Sequence, residues 1–249
     1  MRKIKRYGWH PDLPDHRDRL FRPAVLDSLP PAVDLRPLCP AVYDQGELGS
    51  CTANAIAGAI EFDLLKQNQD FRPSRLFIYY NERVIEGTID SDSGAQLRDG
   101  IKTVAQYGDC HEELWPYDIV KFAVKPLPVC YDEAIKYQAL SYESLDQDME
   151  SMETCLASGY PFVFGFSVYD SFESPDMAKT GVLGMPGEDE TLLGGHAVMA
   201  VGYDQSTETF LVRNSWGPNW GQAGYFTIPY EYLNDSTLSS DFWTIRAVK

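Results

Sequence analysis

Apolar residues recur at three- and four-residue spacing through the first half of the chain and in short alternating runs through the second. Between Cys51 and Lys66, Ala53, Ile56, Ala57, Ile60 and Leu64 form one such stripe, preceded by Ser50, a residue suited to cap a helix start. The spacing predicts a helix there. Two more are predicted from Ser74 to about Val84 and from Gly94 to Tyr107, the latter closed by Gly108. After about residue 140 the runs "YPFVFGFSVY", "GGHAVMAVGYD", "TFLVRNSW", "GYFTI" and "FWTIRAV" are β-branched and aromatic, divided by Gly, Asn and Pro. These predict strands, with one helix among them from about Leu145 to Ser158. Helices followed by strands predict an α+β fold of two subdomains, mainly helical over about 40–139 and mainly β over about 140–249, with a cleft between them.

Residues 1–28 break the pattern. Pro11, Pro14 and Pro23 within them, followed by Pro30 and Pro31, suit an extended arm rather than a helix. The arm carries seven Lys or Arg against four Asp, a net of +3, so the remainder of this −16 chain stands at −19. It is expected to lie over the acidic body or to trail from it as a solvated segment. The charge argues against a nucleic-acid partner, and no apolar run nears the length of a membrane span. The N-terminus has no apolar core of a secretory signal, so a cytoplasmic location is the expectation, with a monomer as the expected state. At 249 residues and 44% hydrophobic, the chain has enough apolar material for a full core.

Five cysteines, at 39, 51, 110, 130 and 155, are an odd number without a CxxC pair, which suggests neither a closed disulfide framework nor a zinc ribbon. Cys51 is the chemically interesting one. It falls where "DQGELGSC" runs into a helix, an exposed join at which the helix dipole and free N–H groups would favour a thiolate. Gly46 and Gly49 would leave room for a substrate beside the sulfur. The competing reading is a small buried core residue. A base must come from His10, His16, His111 or His196. The first two lie in the arm, and His111 sits in a polar loop that predicts a solvated side chain. His196 opens the strand "HAVMAVGYD", where it could face a cleft. Asn214 could then accept the imidazole N–H, shielded by Trp216, and Gln45 could donate to an oxyanion together with the Cys51 amide.

At these residues the sequence resembles the papain family of cysteine peptidases, most strongly in "HAVMAVGYD" and "NSWGPNWGQAGYF". The resemblance covers most of residues 29–249. It implies a two-subdomain fold with Cys51 as nucleophile, His196 as base, Asn214 as orienting residue and Gln45 as oxyanion donor. It also implies a substrate-binding backbone at Gly94, Ala95 and Gly195 beside Trp216. Peptide or protein substrates, hydrolysis through an acyl-enzyme and no cofactor follow as expectations. A Cys–His–Asn acyl transferase and a non-hydrolytic binding protein are the alternatives. Three departures stand out. Thr52 replaces the tryptophan that usually follows the nucleophile, and Leu48 replaces a cysteine whose usual partner region, "TIDSDSGAQLRDG", has none. The short arm replaces a longer folded propeptide, and it is expected to restrict access to the cleft.

Overall fold

The computed structural model describes residues 6–22 and 28–248. Arg2, Lys3, Lys5, Pro23 and Asp27 of the expected arm lie outside the described residues. The elements run, in chain order, β1 (Ala32–Asp34), α1 (Cys51–Lys66), α2 (Arg75–Glu86), α3 (Leu97–Gln106), α4 (Pro128–Ala134), β2 (Ala139–Ser144) and α5 (Met149–Ala157). They continue with β3 (Phe162–Tyr169), α6 (Pro175–Thr180), β4 (Leu192–Asp204), β5 (Thr209–Arg213), β6 (Tyr225–Pro229), α7 (Tyr230–Asn234) and β7 (Ser239–Val248). The fold is α+β. The sheet has the order β2-β7-β3-β4-β5-β6, with β1 on β4, and each of these pairs is antiparallel.

Helix α1 occupies the bounds its apolar stripe predicts, and it is buried on nearly every side. It packs against α2 and α3 on one flank and β4 and β7 on the other, so the polar Thr52, Asn54 and Asp63 are buried along with the stripe. Small residues allow this approach: a Cβ at Gly58 would stand 2.8 Å from the guanidinium of Arg213 on β5. The helix that begins at Cys51 is thereby held close against the interior strands of the sheet.

Several expectations need correction. Ser50 does not cap α1 through its side chain; its hydroxyl meets Tyr117 Oη at 2.6 Å and accepts from Asn54 Nδ2. The hydroxyl serves tertiary packing because the helix start is buried. Helix α3 begins at Leu97, since Gly94 has φ +77° and Gln96 is extended. His111 is half-buried, its ring 4.4 Å from that of Phe71. The short β1, β2, α4, α6 and α7 escaped the sequence reading because each is too brief or too polar to establish a period of its own.

Candidate active site

The loop before α1 is tied to the segment after β5. Gln45 N–H donates to Ser215 C=O at 2.9 Å, and Ser215 Oγ donates to Gln45 Oε1 at 2.6 Å. Gln45 Nε2 donates to Leu48 C=O, which uses one amide hydrogen and leaves the other. Gly46, at φ +63°, makes the turn between them. The Gln45 side chain is fully buried and locked beside the start of α1.

On the sheet side, His196 lies in β4 and Asn214 follows β5, two strands held in register by Met199 opposite Arg213. His196 Nε2–H donates to Asn214 Oδ1 at 2.9 Å, and Ser215 N–H donates to the same oxygen. The remaining ring nitrogen, Nδ1, has no partner among the described residues. Trp216 packs on the imidazole with ring centres 5.3 Å apart, and Phe166 and Phe172 close other sides. The backbone N–H of Ala197, next to the histidine, interacts with the Cys51 sulfur. Gln45, Cys51, His196, Asn214 and Trp216 therefore converge.

The cleft is filled by the arm. Ala95 N–H donates to Gly8 C=O at 2.7 Å and His10 N–H donates to Ala95 C=O at 3.1 Å, a parallel bridge; Trp9 N–H donates to Gly195 C=O at 3.0 Å. Gly94 contributes closeness rather than a hydrogen bond to the strand, because a Cβ there would lie 2.0 Å from Gly8 O. Tyr7 sits edge-on to His196, and the Gly8 N–H meets the Cys51 sulfur. Cys51 is consequently 1% exposed and His196 0%, against the expectation of an exposed thiol. Burial pushes the Cys51 thiol up to about 12, with the N–H groups of Ala197, Gly8 and Thr52 opposing it only in part. The same burial pulls His196 down to about 4, although its bond to Asn214 favours the cation. With the arm seated, burial favours the neutral form of both groups.

Farther along, the arm is held by specific contacts. Asp18 pairs with Arg98 at 2.6 Å, Arg98 also donates to Leu13 C=O, and Trp243 Nε1 donates to Asp12 Oδ2 at 3.0 Å. Arg19 pairs with Glu143, and Phe21 is buried under Arg246. Among the described residues, ion pairs run both ways across this contact, from arm acid to body base at Asp18–Arg98 and from arm base to body acid at Arg19–Glu143.

Two supporting residues escaped the sequence reading. Glu82 of α2 accepts from Thr52 Oγ1 at 2.7 Å in a fully buried position. Asp92 accepts the Gly49 N–H on both oxygens, at 3.0 and 3.1 Å, and also takes the Tyr79 hydroxyl. Asp92 lies in the cysteine-less segment "TIDSDSGAQLRDG", and only that placement signalled a link to the loop before Cys51. All five cysteines are free thiols.

Fold and residues together define a papain-like cysteine peptidase. The papain family cysteine protease model matches residues 29–243, and the chain belongs to that family of hydrolases. It is 46% identical to Xylellain, a cysteine protease from Xylella fastidiosa, whose crystal structure superposes with a TM-score of 0.92 over 100% of this chain and 99% of that one. An uncharacterized peptidase C1-like protein of Acanthamoeba polyphaga mimivirus is 45% identical over 98% of this chain and 88% of its own length. A cathepsin B-like protein of Giardia intestinalis is 30% identical over 85% of this chain and 72% of its own.

Proposed function

We propose that this peptidase hydrolyses peptide bonds through an acyl-enzyme at Cys51 and that its arm holds it latent. The observation that carries the chemistry is the commitment of His196 Nε2–H to Asn214, which leaves Nδ1 as the ring nitrogen available to the thiol. With a substrate in place, Cys51 gives its proton to His196 Nδ1 and the thiolate adds to the carbonyl carbon. The second Gln45 amide hydrogen and the Cys51 N–H receive the oxyanion. His196 returns the proton to the leaving amine, then takes one from the water that cleaves the thioester. Asn214 keeps the ring in one tautomer throughout. Ala95 and Gly195 hold the substrate backbone as an added strand, as they hold the arm, and give affinity with little dependence on sequence.

Latency follows from burial: with Tyr7 edge-on to His196 and the strand Gly8–His10 bonded to Ala95 and Gly195, Cys51 is 1% exposed and His196 0%, so a substrate has no access to the sulfur. Gly8 is also the residue through which the arm can be unseated: a Cβ there would lie 1.8 Å from the backbone oxygen of Gly49. Cys51→Ser is expected to abolish turnover of a fluorogenic peptide with no change in thermal stability beyond ~1 kcal/mol. Gly8→Ala, or removal of residues 1–28, is expected to raise turnover severalfold or more. Retained activity in the serine variant would falsify the nucleophile; an unchanged rate in both arm variants would remove the latency.

A further inference from the structure

A chain of hydrogen bonds runs from a buried cation to the backbone of Gln45, and its donors and acceptors fix its direction. Arg75 of α2 is 5% exposed and spends Nε and Nη2 on Glu112 Oε1, at 3.1 and 2.6 Å. Its Nη1 donates to Asn54 Oδ1 and to Asp44 C=O, both at 3.2 Å. A guanidinium only donates, so the Asn54 amide turns its oxygen to Arg75 and its Nδ2 to Ser50, where it meets C=O at 2.8 Å and Oγ at 3.0 Å. Tyr117 has one hydroxyl hydrogen and gives it to Gln45 C=O at 2.9 Å, so the Ser50 hydroxyl supplies the hydrogen of the 2.6 Å bond between Ser50 Oγ and Tyr117 Oη. Burial pushes Tyr117 up to about 12, so that hydrogen stays on the ring oxygen at neutral pH.

The Asp44 and Gln45 carbonyls lie on either side of the Gln45 Cα, so Arg75 and Tyr117 between them fix both peptide planes that carry the Gln45 side chain. Arg75 also stacks on the rings of Tyr117 and Tyr43, at 3.9 and 4.6 Å from their centres, which holds the guanidinium in place. Building on the acyl-enzyme reading above, we infer that Arg75 and Tyr117 are positioning residues for Gln45: with Asn54 and Ser50 between them, they hold its free amide hydrogen where the oxyanion forms. The oxyanion exists only while the tetrahedral species forms and breaks, so a displaced donor costs rate and not substrate affinity. A purely structural tie among α1, α2 and the segment after α3 would cost both.

The test uses the full chain carrying Gly8→Ala, with a fluorogenic peptide amide, iodoacetamide and a peptide aldehyde as probes. Tyr117→Phe keeps the ring beside Arg75 and deletes one donor. It is expected to lower kcat roughly tenfold, less than the ~10²–10³-fold cost of removing an oxyanion donor outright, with KM and the rate of Cys51 alkylation by iodoacetamide within about twofold. Alkylation forms no oxyanion, so it reports the thiol alone. Arg75→Lys keeps the charge but cannot fork to Asp44, Asn54 and Glu112 at once, and should lower kcat further in the same pattern. The aldehyde takes the Cys51 sulfur on its carbon and the thiol proton on its oxygen, which then stands at Gln45, so its affinity should fall along with kcat. An unchanged kcat in Tyr117→Phe, or kcat, KM and alkylation all worsening together, overturns the positioning role. If Gly8→Ala cleaves nothing, the hydrolytic reading fails and the aldehyde decides alone: weaker binding to Tyr117→Phe at equal alkylation upholds the network, and equal or absent binding overturns it.

Discussion

Thr52 stands where the family usually carries tryptophan, and its hydroxyl shows what replaced the indole. It donates to Glu82 Oε1 at 2.7 Å beneath the first turn of α1, and burial holds the Glu82 carboxyl well above the usual carboxylate range. Its other oxygen has no partner among the described residues, so Thr52 is the side chain that satisfies this acid. Thr52→Val keeps the shape and deletes the donor. It should destabilise the protein by about 1–3 kcal/mol, seen as a lower urea midpoint at unchanged slope. Nothing in the sequence pairs residue 52 with residue 82, because the contact depends on how α1 packs on α2. By contrast Cys51, His196, Asn214 and Gln45 were legible as a set, since each sits in a motif whose flanking residues serve the same local geometry.

At the scale of elements, the loop before α1 and the segment before α3 are joined without the bridge common in the family. Leu48 supplies no sulfur, and Asp92 joins the two stretches by accepting the Gly49 N–H and the Tyr79 hydroxyl. Asp92→Ala should lower the urea midpoint by an amount equivalent to about 1–3 kcal/mol, the range for losing bonds to a charged group. Hydrogen exchange at the Gly49 amide should quicken in the same variant, which separates loosening of this loop from a general loss of stability. The apolar period of α1 was strong enough to place both its ends. Helix α3 was legible in existence but not in start, because Gly94 turns at φ +77° and Ala95 bridges to Trp9, a demand made by a segment some 85 residues away in sequence.

At the scale of the whole molecule, the arm and the body form a proton-linked pair. Asp12 is raised from 3.8 to about 7, first by burial and then by the nearby Asp241 carboxylate, with bonds from Trp243 and the Arg98 amide and the Arg98 charge opposing. A carboxyl whose docked pKa is raised favours docking fully below its free value and loses that contribution as pH climbs through about 7. His196, drawn down to about 4 from 6.5, works in the other direction, favouring the seated arm where it is neutral. The two are separated by comparison with Asp12→Asn. The ratio of Cys51 alkylation rates, unaltered chain over variant, should rise as pH goes from about 4 to about 7; a flat ratio would show that Asp12 does not titrate on docking. Because the thiol is the same in both chains, its own ionisation cancels.

The sequence by itself determined α1–α3, α5 and β3–β7 in their order, the α+β class and the candidate residues for thiol chemistry. Those features rest on local periodicity and on motifs read within a few residues of one another. It also suggested, from net charge, that residues 1–28 belong with the cleft, without saying where they sit. Net charge is a sum over the chain, whereas seating depends on where Gly8 lets backbone approach backbone, where Gly165 and Gly195 admit an indole, and where a bulge in β7 aims Asp241. Only the tertiary structure decided these points, because each is an encounter between residues more than 40 positions apart. It also reversed the expected exposure of Cys51: the thiol at the helix start is buried beneath the arm, and that burial pushes it up.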